Sequence, residues 1–140
     1  MKWMRAIVRA WGPEMNAADR TRVSLGAGFL FGAVSHFGWL WVNGSPWYHG
    51  PAPEWAVWFW YGICAVDFVV FWLLLSHPRV GVAAGVATMV TTLSVNWTQF
   101  PTFEFTFNWV LIGLSLFGVI VFVTAPWLWR ASRWKLSGAV

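Results

Sequence analysis

The sequence predicts an all-α integral membrane protein, a four-transmembrane-helix bundle preceded by a short interfacial amphipathic helix. Of its 140 residues, 59% are hydrophobic and only 10% are charged, whereas soluble domains carry about 25% charged residues. Four apolar stretches each have about the 20 residues needed to cross a bilayer core of about 30 Å. All Lys and Arg residues lie outside these stretches.

The predicted spans cover residues 23–42, 55–75, 80–97 and 105–125, which leaves short loops and two tails. We therefore interpret residues 1–140 as a single membrane domain. Charged residues recur throughout residues 1–22, so no signal-peptide core of the usual kind precedes the first span. We expect that span to remain in the mature chain.

Residues 2–12 are predicted to form the interfacial helix. Apolar residues recur there at three- and four-residue spacing: Trp3, Met4, Ile7, Val8 and Trp11. Lys2, Arg5 and Arg9 occupy other faces, and Gly12-Pro13 ends the pattern. This is typical of a helix lying in the headgroup region. A disordered basic tail is the alternative.

The distribution of basic residues predicts the orientation. All nine lie in the two tails or in the turn between the second and third spans, and the loops 43–54 and 98–104 carry none. The positive-inside rule then places both termini in the cytoplasm, which four spans allow. We expect a multi-pass protein of the bacterial inner membrane.

The chain has 14 tryptophans, and rings of this kind anchor helices at headgroup depth. Those assigned as anchors or interface residues at the outer end are Trp39, Trp55, Trp58, Trp60, Trp97 and Trp109. Their number exceeds what anchoring requires, so some could line a pocket or face a partner protein.

Small residues indicate how the helices pack, because close approach drives helix association in lipid. The first span has Gly28-x-x-x-Gly32 and the third has Gly81-x-x-x-Gly85. The third continues at helical spacing with Thr88, Thr92 and Asn96, a stripe that we expect to face the bundle interior. The bulky aromatics of the second span are expected to lie opposite these small faces.

Ionisable groups inside a membrane are costly, so each is a candidate for function. The predicted ligand-binding residues are Asp67, near the middle of the second span, and five residues in the outer half: His36, Asn96, Gln99, Glu104 and Asn108. His36 could instead simply hydrogen-bond a neighbouring helix. Asp67, near mid-membrane, is expected to be neutral, or satisfied by His36 or by polar groups of the third span.

The sequence lacks the motifs of several common kinds of functional site. With Cys64 as the one cysteine, no intramolecular disulfide is possible. The three histidines are predicted at different depths, so we expect no metal site, although a single histidine ligand to a pigment stays open. We assign no catalytic residues, and basic residues at span ends do not indicate nucleic acid.

The segments RVSLGAGFLFGAVSHF (Arg22–Phe37), PAPEW (Pro51–Trp55), YGICAVD (Tyr61–Asp67) and LLLSHPRVGVAAG (Leu73–Gly85), closed by Asn96, resemble the DoxX-like family of small bacterial membrane proteins. The resemblance covers about half the chain and implies a four-helix bundle. Some such proteins look like small subunits of quinone-linked oxidoreductases. The family's acidic residue is more often Glu, where this chain has Asp67.

Two functions follow as hypotheses. The first is a non-catalytic accessory subunit of a larger redox or photosynthetic membrane complex, with other subunits and the bilayer as partners. The second is a protein that binds a quinone, lipid or other apolar ligand in a pocket around His36 and Asp67, possibly within an oxidoreductase. A channel or transporter is a third option that would require oligomerisation.

Overall fold

The computed structural model describes residues 15–43, 53–99 and 108–132. This part of the chain forms four α-helices: α1 (Ala17–Asn43), α2 (Glu54–Ser76), α3 (Pro78–Gln99) and α4 (Asn108–Ala131). The predicted all-α class and the four helices are therefore confirmed. The predicted interfacial helix at residues 2–12 lies outside the described residues.

Three of the helices are long and apolar enough to cross a membrane. They are Glu54–Ser76, Pro78–Gln99 and Trp109–Ala131, with mean hydropathies of 1.9, 1.3 and 2.2. Helix α1 has 27 residues, which is ample length. Its apolar part includes four glycines, two serines and His36.

Two helices extend beyond their predicted spans. Helix α1 begins at Ala17, six residues before the predicted start, because the side-chain oxygen of Asn16 accepts a hydrogen bond from the backbone N–H of Asp19 at 2.9 Å. Asp19 also pairs with Arg22. Helix α4 continues through Pro126 to Ala131, six residues past the predicted end.

The helices pack in chain order, each against the next, and α1 also contacts α4. A single residue, His77, separates α2 from α3. Its backbone N–H donates to Leu73 O at 2.7 Å, and the Gly81 N–H donates to His77 O at 2.8 Å. A Cβ at Gly81 would overlap the backbone of Leu73 and Leu74, so only glycine permits this tight turn.

The apolar core lies toward the end of the bundle that holds this turn. Its buried members come from all four helices: Leu25, Phe29, Val70, Leu74, Val82, Met89, Val121, Ala125 and Leu128. The rings of Phe29 and Phe117 meet edge to face, with centroids 5.3 Å apart. The cavity left among these residues is about 10 Å³. The core is thus closely packed.

Candidate functional site

Among the acidic residues that the structure describes, Asp67 is the one that is buried, with 7% of its surface exposed. Its carboxylate lies against α1, because a Cβ built on Gly32 would be 2.9 Å from Oδ2. One turn earlier on α2, the thiol of Cys64 donates to the carbonyl oxygen of Ala33 at 3.4 Å. The segment Gly32-Ala33 of α1 therefore receives two polar side chains from α2.

His36 lies one helical turn beyond Gly32 on α1 and is partly buried. No hydrogen bond or ion pair joins it to Asp67, and it has no hydrogen-bond partner within the described residues. His36 and Asp67, which were predicted to line one pocket, therefore lie about one helical turn apart along the bundle and make no direct polar contact.

The polar stripe of α3 faces the interior, as the spacing predicts. Thr88, Thr92, Asn96 and Gln99 are all buried. The Asn96 side-chain amide donates to the Thr92 carbonyl oxygen at 2.7 Å. The hydroxyl of Thr92 is buried without a hydrogen-bond partner, as is that of Tyr61 on α2. The buried polar residues of α3 therefore all lie in the half of that helix that is farther from the turn.

Other helices pack closely against the glycines of α1 and α3, as predicted, but the side chains that contact them differ from those expected. Phe117 of α4 fills the space beside Gly28, and Phe29 and Val70 fill the space beside Gly85. The expectation that the bulky aromatics of α2 cover the small faces is wrong for Trp58, Phe68 and Trp72, which are exposed. Phe71 alone of these rings meets a glycine, Gly26.

The remaining predicted site residues are distributed as follows. Trp55, Trp58, Trp97 and Trp109 are exposed at helix ends on one end of the bundle, and Trp60 is partly buried. The Trp97 indole donates to Ser115 Oγ at 3.3 Å, and that of Trp58 to Glu54 at 3.2 Å. Glu104 and the side chains of Trp39 and Asn108 lie outside the described part of the chain.

The outward faces of the helices differ in a way that sequence reasoning missed. Helices α2 and α4 present mainly large apolar or aromatic side chains, whereas α1 exposes both large and small ones. Between Val80 and Trp97, the outward face of α3 has one large residue, Val90. Its other exposed residues in this stretch are small, namely Ala83, Ala87, Thr91 and Ser94, and the small Thr98 follows Trp97. We call these five residues the small face of α3.

The hydroxyls of the small face are satisfied within α3. Thr91 donates to Ala87 O at 3.0 Å, Ser94 to Val90 O at 2.8 Å, and Thr98 to Val95 O at 2.8 Å. The face is therefore smooth and sterically open without carrying unpaired donors. The three- and four-residue spacing of its members is the signal from which the sequence could have revealed it.

A groove of about 400 Å³ runs beside the small face, between α2 and α3. Its lining is apolar apart from one threonine and includes Ala65, Val66, Val69, Ala84, Ala87 and Thr88. Neither His36 nor Asp67 lines it. Among the described residues, no group of three or more His, Cys, Asp or Glu side chains could hold a metal ion.

Comparison of the chain with family models, with curated proteins and with solved structures finds no match. The resemblance to the DoxX-like family therefore stays a prediction.

Proposed function

We propose that the protein is a small integral membrane protein that acts as a non-catalytic accessory subunit of a larger membrane complex. The small face of α3 carries this proposal. In lipid, helices associate where small residues let their backbones approach closely. A helix that faced only acyl chains would have no such requirement, and α2 and α4 present mainly bulky residues on their outward faces.

The exposed tryptophans suit the same role. Trp55, Trp58, Trp97 and Trp109 lie at one end of the bundle, and Trp127 and Trp129 lie near the other. Rings at both ends would hold the bundle at a fixed depth. A subunit held at constant depth can present the small face of α3 in register with a partner helix. Redox and photosynthetic complexes of bacterial inner membranes are the proposed hosts.

Gentle purification from native membranes tests this role, with mass spectrometry and an absorption spectrum of the purified material. We expect stoichiometric companion subunits, and pigment or haem bands would identify the class of complex. Ala83→Phe should release the companions, because the ring would block the small face. Val123→Phe, on the outward face of α4, is the matched control and should retain them. Isolation of a lone protein would contradict the proposal.

The groove between α2 and α3 favours a second candidate function, the binding of an apolar ligand such as a quinone or a lipid. Its volume falls within the range of about 300–1,000 Å³ typical of ligand sites. Ala84→Trp would fill the groove, so it should remove a co-purifying quinone or lipid detected by mass spectrometry. Asp67→Asn tests the pocket predicted around His36 and Asp67, and would remove the ligand only if that pocket holds it.

A further inference from the structure

One end of the bundle interior contains a continuous line of hydrogen-bonding side chains. On α3 the buried members are Thr88, Thr92, Asn96 and Gln99. Their spacing of three or four residues corresponds to steps of about 4.5–6 Å along the helix. The line starts near the middle of α3 and reaches the last residue of that helix.

Asp67 lies at the inner end of this line. Val70 of α2 contacts Gly85 of α3, and the two helices run antiparallel. Three residues back along α2 is Asp67, and three residues forward along α3 is Thr88, so these two residues lie at the same level. Phe29 of α1 meets the same glycine, which brings Gly32 to that level too. The direct approach of the Asp67 carboxylate to Gly32 agrees with both registers.

Some of the polar groups at the inner part of the line have no hydrogen-bond partner in the part of the chain that the structure describes. Within the described residues Asp67 and Thr88 have no hydrogen bond, and the buried hydroxyl of Thr92 has none. Thr92 is 4% exposed. Buried polar groups are nearly always satisfied by protein or by ordered water. A fully buried hydroxyl without a partner, on a line that ends at a carboxyl without a hydrogen bond, is the kind of place that ordered water occupies.

The opposite end of the interior is closed. Below the level of Asp67 the core is formed by apolar side chains such as Leu74, Val82 and Leu128, and its cavity is about 10 Å³. Gly81 brings the backbones of α2 and α3 into contact there. Water that enters along the line therefore stops at Asp67.

Among the residues that the structure describes, the groups around Asp67 contain no permanent cation. The titratable residue of α1 nearby is His36, one turn farther out, and those of α2 itself are Cys64 and Tyr61. In the described parts of α3 and α4 the charged residues are Arg79 and Arg130, both at the closed end. Without a paired cation, a carboxyl in this setting binds a proton readily.

We propose that Asp67 is a proton-binding site that exchanges with one membrane face only, through water held by Thr88, Thr92, Asn96 and Gln99. In the step, a hydronium ion gives its proton to the Asp67 carboxylate, forming the carboxylic acid and water. The reverse step releases the proton by the same route. This role goes beyond the accessory function and does not depend on it.

Infrared spectroscopy of the purified protein tests the site directly. The carboxylic-acid C=O band should grow as pH falls. Because the chain has four other acidic side chains, the contribution of Asp67 is the part of the band that the wild type has and Asp67→Asn lacks. On transfer to D2O the band should shift, and the time course of the shift measures exchange through the line. If Asp67→Asn leaves the acid band unchanged, the proposal is overturned.

The line itself is tested by a matched pair of neighbours. Thr92→Val removes the buried hydroxyl and should slow deuterium exchange at Asp67 by at least about tenfold. Thr91→Val removes a hydroxyl from the outward face and should leave the rate unchanged. Thr88→Val serves as a second variant should Thr92→Val not fold. Exchange at the wild-type rate in both buried variants would overturn the proposed route.

Discussion

The carboxylate of Asp67 lies on the backbone of Gly32, so close that a methyl group at residue 32 would be 2.9 Å from Oδ2. At this contact a carboxylate of α2 occupies the space that a side chain at residue 32 of α1 would otherwise fill. The glycine therefore serves two purposes, since it lets the helices approach and gives the acid a place in the interior. For the same reason, the loss of unfolding free energy on replacing a glycine by alanine should depend on which atoms the new methyl group would contact.

Substitution of glycines by alanine should destabilise the fold in a definite order. The Cβ of Gly81→Ala would meet backbone that cannot move, so this change should cost about 3 kcal/mol of unfolding free energy. The Cβ of Gly28→Ala would meet the Phe117 ring and should cost about 2 kcal/mol. The Cβ of Gly32→Ala would meet a carboxylate that can rotate, so the cost should be about 1 kcal/mol or less. Thermal unfolding in detergent, followed by circular dichroism, measures the order.

Gly62 and Gly113 are the controls for this series, because nothing lies within 4 Å of a Cβ at either position. Alanine there should be neutral or stabilise by up to about 1 kcal/mol, since glycine is a poor helix former. If Gly113→Ala were as harmful as Gly81→Ala, the steric explanation would be wrong.

Hydropathy predicted the helix bounds best where the apolar segment that can span the bilayer ends at the same residues as the helix. The observed α2 and α3 differ from the predicted spans by at most two residues at each end. The start of α1 and the end of α4 were missed because hydropathy does not register a capping side chain such as Asn16, or a polar helical extension. Those ends depend on local hydrogen bonds rather than on the membrane.

The candidate site was predictable in part. Helical spacing alone identified the buried stripe of Thr88, Thr92 and Asn96. The contact of Asp67 with Gly32 required the register between α1 and α2, which no single-helix pattern contains. The outward direction of Trp58 and Trp72 was missed because large side chains are as stable against lipid as against protein.

Phe29 and Phe31 form a matched pair on one helix. Phe29 is 2% exposed and packs on Phe117, whereas Phe31 is 75% exposed. Phe29→Ala should lower the free energy of unfolding by about 3 kcal/mol, the low end for such changes, because lipid rather than water receives the unfolded side chain. Phe31→Ala should change it by less than about 0.5 kcal/mol. Reversible unfolding in mixed micelles gives both values, and equal losses would refute the assigned packing.

Asn16 caps the start of α1, since its side-chain oxygen accepts from the Asp19 N–H. Asn16→Ala should therefore cost about 1 kcal/mol, and Asn16→Asp, which keeps the acceptor, should cost little. Amide hydrogen exchange over the first turn is the sensitive measurement. Faster exchange there in Asn16→Ala alone supports the cap, and equal protection in both variants would contradict it.

The four-helix order places the start of α1, the turn at His77 and the end of α4 at one end of the bundle. The basic residues of the described part that lie at helix ends, Arg20, Arg22, Arg79 and Arg130, share that end. If the positive-inside rule operates, this end is cytoplasmic. Alkaline phosphatase fused after residue 140 should then be inactive, and green fluorescent protein at the same site should fluoresce. Phosphatase inserted within residues 44–52 should be active. Inactive phosphatase at both sites would instead show that this part of the chain does not cross the membrane.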